Sequence, residues 1–473
     1  MTRQLPQKEN KDSIFAFILL FLYTAAVLIR PHEMLIDTRK WIIIKILAIL
    51  CFLAILISQR PLKLYPQHWM LLALVPLIVM SGFLNGSGVT GVDQAIMLFV
   101  SSLIPLFLYS TCITTIKRQQ ALMYVCLIAA LIMVHNGHVQ QTTFTGEGWA
   151  LYTHSVGRLD LGERRITYLG FFSDPNDIGM LLVMCIPFTI YFYKKEKALI
   201  KSAMILILFV LLYGIYLTGS RGTMLGAGSL VGIYFLVTYA GPKLFLAAMV
   251  LAPIFATVVA SLQSNIDASA NGRLEAWYHG IQMMLSNPVF GIGKGRFFEE
   301  HGLVAHNSYI HIVGELGIPG YSLWGGTLIF TVIAGYSFIK FRNKQKQEDT
   351  LADIPVPQNT SFNLTETKAE KKLKIEQVKE ENNKILAITD EYALNQTLFF
   401  SMIGFMVTAF FLSKTFHLLL FIFIGMTLAS HIRLVKLEPK LERFFNNQIA
   451  IRSMLYCWVV IVAVYITLKM GLK

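Results

Sequence analysis

The sequence predicts an all-α integral membrane protein with about 12–13 transmembrane helices. Hydrophobic residues make up 55% of the 473 residues and only 15% are charged, whereas soluble domains carry about 25% charged residues. Apolar runs recur along the chain at roughly the 20 residues that a helix needs to cross the hydrocarbon core. Composition and run length therefore agree on a multi-pass membrane fold.

Each predicted span begins and ends where an apolar run meets polar residues. The runs that we interpret as spans are 13–30, 41–58, 68–85, 95–114, 120–135, 170–193, 200–218, 222–240, 243–261, 309–341, 396–413, 416–432 and 452–470. No small-residue cleavage site follows the first run, so we expect a retained helix rather than a signal peptide. The five cysteines all lie inside apolar runs, which is typical of small buried hydrophobic residues.

The net charge of +13 has two possible origins, a nucleic-acid partner or the basic loops of a membrane protein. No basic helix or aromatic-basic module supports nucleic-acid binding. Short cytoplasmic loops of membrane proteins collect Lys and Arg, and one alternating set of loops here is nearly all basic. We therefore expect membrane lipids, and no nucleic acid, among the partners.

The same loops predict the orientation of the chain. With a cytoplasmic N-terminus, the basic loops lie in the cytoplasm, and loop 85–94, which has no Lys or Arg, lies outside. Loop 30–40 is an exception, because it carries three basic residues on the outer side. The predicted organisation is a membrane core at 1–341 with external loops 136–167 and 262–308, a cytoplasmic linker and charged helix at 342–395, and C-terminal transmembrane helices at 396–473.

The stretch 273–320 is the longest polar-leaning segment between apolar runs that also carries many Arg, His, Gly and Pro residues. Arg273, Trp277 and Gly280 have the spacing of one helix face, and this helix should end at Asn287–Pro288. Trp277 is either an anchor at headgroup level or part of a site in which Arg273 meets an anionic substrate. The glycine-rich residues 288–295 favour a close-packed loop over a phosphate cradle, because no strand precedes them.

His306, Asn307 and Ser308 stand directly before the next apolar run. A neutral His306 can act as a general base at physiological pH; the alternative is an interfacial or capping residue. His311 and Glu315 are four residues apart and can share a helix face. The following Pro319–Gly320 predicts a break that separates a short surface helix from a membrane helix.

Arg221 lies in the turn Gly219-Ser220-Arg221-Gly222 between two spans. An ionisable residue at membrane depth is costly, which favours a functional role, although an arginine that extends to lipid headgroups is the alternative. The flanking glycines allow close backbone approach, and the guanidinium matches phosphate geometry.

Further polar residues are predicted on the same outer face. Asp174 and Asn176 open the sixth span, where capping of the helix is the alternative to a substrate contact. The other candidate cations are Arg30, Arg164 and Arg165. No Asp-x-Asp and no His/Asp cluster with metal-ligand spacing occurs there, and no nucleotide-binding motif is present. We therefore expect no metal and no cofactor, and a diphosphate would have to be bound by arginines and helix ends.

These motifs together resemble the O-antigen ligase/O-antigen polymerase superfamily, which are bacterial membrane glycosyltransferases of the GT-C type. The resemblance rests on GSRG at 219–222, R-x-x-x-W at 273–277, NPVFGIG at 287–293, HNSYIHIVGELGIPG at 306–320 and the SDPND stretch at 173–177. RPHE at 30–33 looks like the subgroup of probable O-glycosylation ligases associated with exosortase systems. Those ligases typically have about twelve spans, fewer than the runs identified here.

The resemblance implies a donor, a site and a location. The donor would be an undecaprenyl-diphosphate-linked glycan, the acceptor a hydroxyl of a lipid or protein, and the active face the periplasmic side of the bacterial inner membrane. Arg221 and Arg273 match the arginines that hold the diphosphate, and His306 matches the proposed base of an inverting, metal-free transfer. The substrate-binding residues that we predict beside them are Arg30, Asn307, Glu315, Trp277, Asp174, Asn176, Arg164 and Arg165.

Two other functions stay open. A polymerase would use the same donor but a second lipid-linked repeat as acceptor. A non-catalytic transporter or flippase should instead show broken helices or ionisable residues at the bilayer midplane in two related halves, whereas the polar residues here gather at one face. A ligase is therefore the leading hypothesis.

Overall fold

The fold of this chain is all-α in a computed structural model that describes residues 13–34, 37–38, 40–58, 62–142, 165–264, 268–352 and 368–471. The helices, in chain order, are α1 (Ile14–Leu28), α2 (Ile43–Ser58), α3 (Pro66–Leu72), α4 (Leu74–Leu84), α5 (Val89–Leu98), α6 (Ile104–Cys112), α7 (Ile116–Thr142), α8 (Pro175–Lys195), α9 (Ala198–Leu217), α10 (Arg221–Tyr239), α11 (Pro242–Ser264), α12 (Ala268–Ser286), α13 (Phe297–His301), α14 (Ser308–Ala352), α15 (Lys368–Ala409), α16 (Leu418–Leu437), α17 (Asn447–Tyr456) and α18 (Trp458–Gly471). A π-helical turn, Phe99–Leu103, joins α5 to α6.

Within these ranges, ten helical segments are long and apolar enough to cross a membrane. They are Pro66–Leu84, Val89–Cys112, Ile116–Thr142, Pro175–Lys195, Ala198–Leu217, Arg221–Tyr239, Pro242–Val259, Ser308–Glu348, Leu418–Leu437 and Pro439–Met470. The shorter apolar helices α1 and α2 match the first two predicted spans. The predicted span 396–413 begins inside α15. The all-α membrane fold is thus confirmed.

Helix α14 differs from its predicted form. The sequence predicts a short surface helix, a break at Pro319–Gly320 and then a membrane helix. The chain instead stays helical from Ser308 to Ala352, with its kink at Gly317 (φ 63°, ψ −159°). The residues before the kink are largely buried, so both parts of α14 belong to the packed interior.

Helix α8 lies at the centre of the bundle, where α7, α9, α10 and α15 pack around it. Most of its side chains are buried, and their apolar area is the main contribution of this helix to stability. Because α8 is enclosed, its first residue Pro175 and the preceding Asp174 have a fixed position relative to the helices around them.

Helix α12 packs closely against α14 at two glycines. A Cβ on Gly314 would come within 3.1 Å of the carbonyl oxygen of Gly280. A Cβ on Gly280 would lie 2.5 Å from the Cγ2 atom of Ile310, so this position leaves no room for a side chain. The close packing connects the helix that carries Arg273 to the helix that begins just after His306.

The predicted cytoplasmic segment is described only in part. Residues 353–367, which hold most of the predicted linker, lie outside the described residues. The predicted charged helix forms the first part of α15. Further along α15, the carboxylate of Glu391 accepts hydrogen bonds from the Arg433 guanidinium at 2.8 and 2.9 Å, so this buried ion pair joins α15 to α16.

Candidate active site

The candidate catalytic and substrate-binding residues gather where α8, α10 and α14 begin and where α15 turns back into α16. We call this region the His306 end of the bundle. It is built from the cap of α8 (173–177), the turn 218–222 before α10, the α12 face around Arg273, residues 305–308 before α14, and the turn 410–417.

His306 has a backbone conformation that is uncommon for a residue with a side chain (φ 47°). Both of its neighbours are anchored. The indole Nε1 of Trp277 donates a hydrogen bond of 2.7 Å to the carbonyl oxygen of Ala305. The Asn307 side chain accepts from the backbone N–H groups of Tyr309 and Ile310 at 3.0 and 3.2 Å, which caps α14. The left-handed backbone of His306 is therefore held from both sides.

Burial, followed by the positive charge of Arg273, lowers the pKa of His306 to about 4. Asp174 opposes this shift, whereas Lys414 and His311 add to it. His306 is consequently neutral at physiological pH and has a nitrogen that can accept a proton. Arg273 itself is half-buried on α12, one turn before Trp277.

Arg221 is the exposed first residue of α10. The hydroxyl oxygen of Ser220 accepts a hydrogen bond from the Thr223 N–H at 3.4 Å and caps the helix. The glycines on either side allow close approach of protein neighbours: a Cβ on Gly222 would lie 2.8 Å from the Cβ of Phe411. These packing contacts fix the backbone from which Arg221 extends.

Arg165 connects the turn before α10 to the cap of α8. Its Nε donates to the carbonyl oxygen of Thr218 at 2.7 Å, and its Nη2 donates to the side-chain oxygen of Asn176 at 3.4 Å. Asp174 accepts from the Asn176 N–H at 2.9 Å, so the capping interaction predicted for this motif forms. Arg164 lies outside the described residues.

Lys414, which the sequence analysis did not select, lies at the centre of this end. Its ammonium nitrogen is 3.0 Å from the Asp174 carboxylate and 2.8 Å from the Asp177 carboxylate. The buried imidazole of His417 is 3.4 Å from Asp177. Burial alone would lower the pKa of Lys414, but Asp177 and Asp174 outweigh it and raise this pKa. The sequence signal for Lys414 is a lysine in a short turn on the predicted outer face, whose loops are otherwise poor in lysine.

Arg30 lies at the edge of the same end. Its guanidinium donates to the Glu33 carboxylate, lies 5.9 Å from the centre of the Phe171 ring and packs against Gly170. Its backbone is left-handed (φ 56°, ψ 48°). This arrangement joins the end of α1 to the segment before α8.

Glu315 is buried and binds the glycine-rich loop. Its carboxylate accepts from the backbone N–H of Gly295 at 2.8 Å and of Phe297 at 3.4 Å, and His311 lies 3.1 Å away. The Glu315 carbonyl oxygen accepts from Gly293 at 3.0 Å. The loop is thus close-packed scaffolding, as the sequence predicts.

Two of the predicted site residues, Arg273 and Asp174, act on the pKa of His306 through their charges. Arg165 and Asn176 connect the turn of Arg221 to the cap of α8 that Asp174 forms. Trp277 is fully buried and packs edge-on against Phe410, which does not fit the alternative of an anchor at headgroup level. Across the described ranges, no three His, Cys, Asp or Glu side chains gather as a metal site.

Comparison with known proteins supports the resemblance seen in the motifs. The sequence model Wzy_C, described as O-Antigen ligase, matches residues 206–325. This segment contains Arg221, Arg273 and His306, whereas Lys414 and the cap of α8 lie outside it. No curated protein matches the chain. Residues 206–325 are therefore similar to the O-antigen ligase family, and they lie in a chain whose described residues include ten helical segments able to cross a membrane.

Proposed function

We propose that this protein transfers a glycan from an undecaprenyl-diphosphate-linked donor to an acceptor hydroxyl on the periplasmic face of the inner membrane. The observation that carries the proposal is a neutral, half-buried His306 whose protonation is opposed by the adjacent Arg273. A proton acceptor beside a cation is what transfer from a diphosphate requires. The O-antigen ligase match over 206–325 supports the reaction class.

In the proposed reaction, the unprotonated nitrogen of His306 takes the proton of the acceptor hydroxyl. The hydroxyl oxygen forms a bond to the anomeric carbon, and the bond from that carbon to the diphosphate oxygen breaks. The electron pair of the broken bond leaves on the lipid diphosphate, whose charge Arg221 and Arg273 stabilise. Attack opposite the leaving group inverts the anomeric centre, and no metal is needed for this step.

The donor itself would improve the base. A diphosphate bound by Arg273 neutralises the charge that helps to depress the pKa of His306, and therefore raises this pKa. A base works best when its pKa lies near the operating pH. Binding of the donor would thus bring the imidazole closer to that optimum before the acceptor reacts.

Purified protein in liposomes with a labelled lipid-diphosphate glycan donor tests this function. We expect transfer by the wild type and a loss of at least 100-fold for Arg221→Ala and Arg273→Ala, with Arg452→Ala, an exposed arginine of α17, as the control. Undiminished transfer by both arginine variants would exclude the diphosphate role. Loss of transfer after addition of a chelator would exclude a metal-independent reaction.

A deletion strain distinguishes the ligase from the polymerase. Because a ligase acts on finished chains, its absence should leave full-length lipid-linked glycans, which mass spectrometry of the lipid fraction detects. Accumulation of single repeats would instead identify the acceptor as another lipid-linked repeat. Lipid-linked glycans retained on the cytoplasmic face would favour a flippase.

A further inference from the structure

The turn between α15 and α16 connects the cap of α8 to the start of α14. The Ser308 hydroxyl donates to the carbonyl oxygen of Leu412 at 2.5 Å and accepts from the backbone N–H of Lys414 at 2.8 Å. The Thr415 hydroxyl donates to the Ser308 carbonyl oxygen at 3.2 Å. Ser308 is fully buried, so these contacts fix the residue that lies two positions after His306.

The side chain of Lys414 determines where this turn lies. Its ammonium group bridges Asp174 and Asp177 at 2.8–3.0 Å. Asp174 caps the enclosed helix α8, and Asp177 lies in the first turn of that helix. Because only 17% of the Lys414 side chain is exposed, loss of its charge would leave the buried Asp177 without its cationic partner. Such an unpaired buried charge is strongly destabilising at its site.

We propose that Lys414 is a positioning residue for His306: its ion pairs with Asp174 and Asp177 hold the turn 410–417, which through Ser308 holds the backbone of the base. This inference rests on the proposed function, because it assigns His306 the role of base. Trp277 fixes the other side of His306 at Ala305. Lys414 therefore completes a two-sided support that spans α8, α12, α14 and the turn.

Lys414 also acts on His306 through its charge. The charged and titratable groups that face His306 are Arg273 on α12, Asp174 at the start of α8, Lys414 in the turn and His311 on α14. Lys414, like Arg273 and His311, opposes protonation of the His306 imidazole. Replacement of Lys414 by an uncharged residue should therefore raise the pKa of His306, an effect that a purely mechanical support would not have.

The test combines turnover with a direct probe of His306. Wild type, Lys414→Met, Lys414→Arg and the control Lys436→Met, an exposed lysine of α16, are reconstituted in nanodiscs. Carbethoxylation of His306 by diethyl pyrocarbonate is followed against pH by mass spectrometry. Only the neutral imidazole reacts, so for Lys414→Met we expect a midpoint at higher pH and a kcat lower by about 10-fold or more, with the donor KM little changed. Lys414→Arg should keep both the carbethoxylation midpoint and kcat close to their wild-type values.

Ser308→Ala separates the positioning effect from the charge effect. It removes the two hydrogen bonds of the Ser308 hydroxyl to the turn but keeps the Lys414 ammonium. We expect it to lower kcat without moving the carbethoxylation midpoint, and it replaces Lys414→Met as the kinetic test if that variant does not fold. A raised donor KM at unchanged kcat in Lys414→Met, or wild-type kcat in Ser308→Ala, would overturn the inference. If the wild type itself shows no transfer, the proposed function fails, whereas the shifted midpoint still tests the link between Lys414 and His306.

Discussion

The indole of Trp277 donates a hydrogen bond of 2.7 Å to the carbonyl oxygen of Ala305, the residue directly before His306. Trp277 is fully buried, so the accepting carbonyl has no access to water as a substitute. The bond connects helix α12, four residues after Arg273, to the backbone of the proposed base. It therefore fixes the cation and the base relative to one another.

Trp277→Phe should keep most of the ring packing and remove only this hydrogen bond. A buried carbonyl left without a donor costs about 1–3 kcal/mol, so we expect a lower thermal midpoint together with a reduced kcat for glycan transfer. Thermal unfolding in detergent and transfer assays measure the two effects. Tyr278→Phe, at the exposed neighbouring position, is the control, and equal kcat values for the two variants would show that the Trp277 bond does not support His306.

Glu315→Gln should loosen the glycine-rich loop. The carboxylate that accepts from Gly295 and Phe297 would be replaced by a neutral amide, and hydrogen bonds to a charged group contribute about 1.5–3 kcal/mol. We expect faster proteolysis within 288–296 and a lower thermal midpoint. Glu299→Gln, whose side chain is 68% exposed, should leave both unchanged. Unaltered stability with a raised donor KM would instead support the predicted role of Glu315 in substrate binding.

Gly222 should tolerate no side chain. A Cβ at this position would lie 2.8 Å from the Cβ of Phe411, and such overpacking costs about 1–3 kcal/mol. We expect Gly222→Ala to displace the start of α10, and with it Arg221, so that the donor KM rises. The matched control is Gly228→Ala on the same helix, where no atom lies within 4 Å of the added Cβ. Similar kinetics for both variants would contradict the close packing of this turn.

The pH dependence of transfer should report His306. The neutral imidazole is the active form, so activity is lost as the pH falls through the pKa, which is about 4 without substrate. The acid limb of kcat/KM, which reflects the free enzyme, should therefore lie near pH 4, and that of kcat at higher pH, because the bound diphosphate neutralises Arg273. Arg273→Gln should move the kcat/KM limb upward. A limb at the same pH in wild type and Arg273→Gln would contradict the coupling.

Hydrophobic run length is sufficient to predict most of the fold, because each span must satisfy its backbone hydrogen bonds internally. A proline predicts both the helix end near Asn287–Pro288 and the kink near Pro319. The first prediction fits the structure, because α12 ends at Ser286. The kink itself falls at Gly317, and the first turns of α14 are buried rather than exposed. These turns pack against α12, where Gly314 lies close to Gly280, and hydrophobic run length does not predict this contact.

The site is less predictable, because its contacts are long-range. The His311–Glu315 pair can be predicted from its spacing of four residues and forms at 3.1 Å. Lys414, by contrast, pairs with carboxylates that precede it by more than 200 positions, and no local pattern relates them. Trp277 is buried through its contacts with Phe410 and Ala305, which its spacing along α12 does not reveal.

The most direct test of the central claim separates donor binding from turnover in His306→Ala. With wild type, His306→Ala and the control His301→Ala in lipid bilayers, binding and transfer of a lipid-diphosphate glycan are measured side by side. We expect His306→Ala to bind the donor with an unchanged Kd and to lose transfer by about 100- to 10,000-fold, the usual contribution of a general base. Full transfer by His306→Ala, or weakened donor binding at unchanged turnover, would contradict the assignment of His306 as the base.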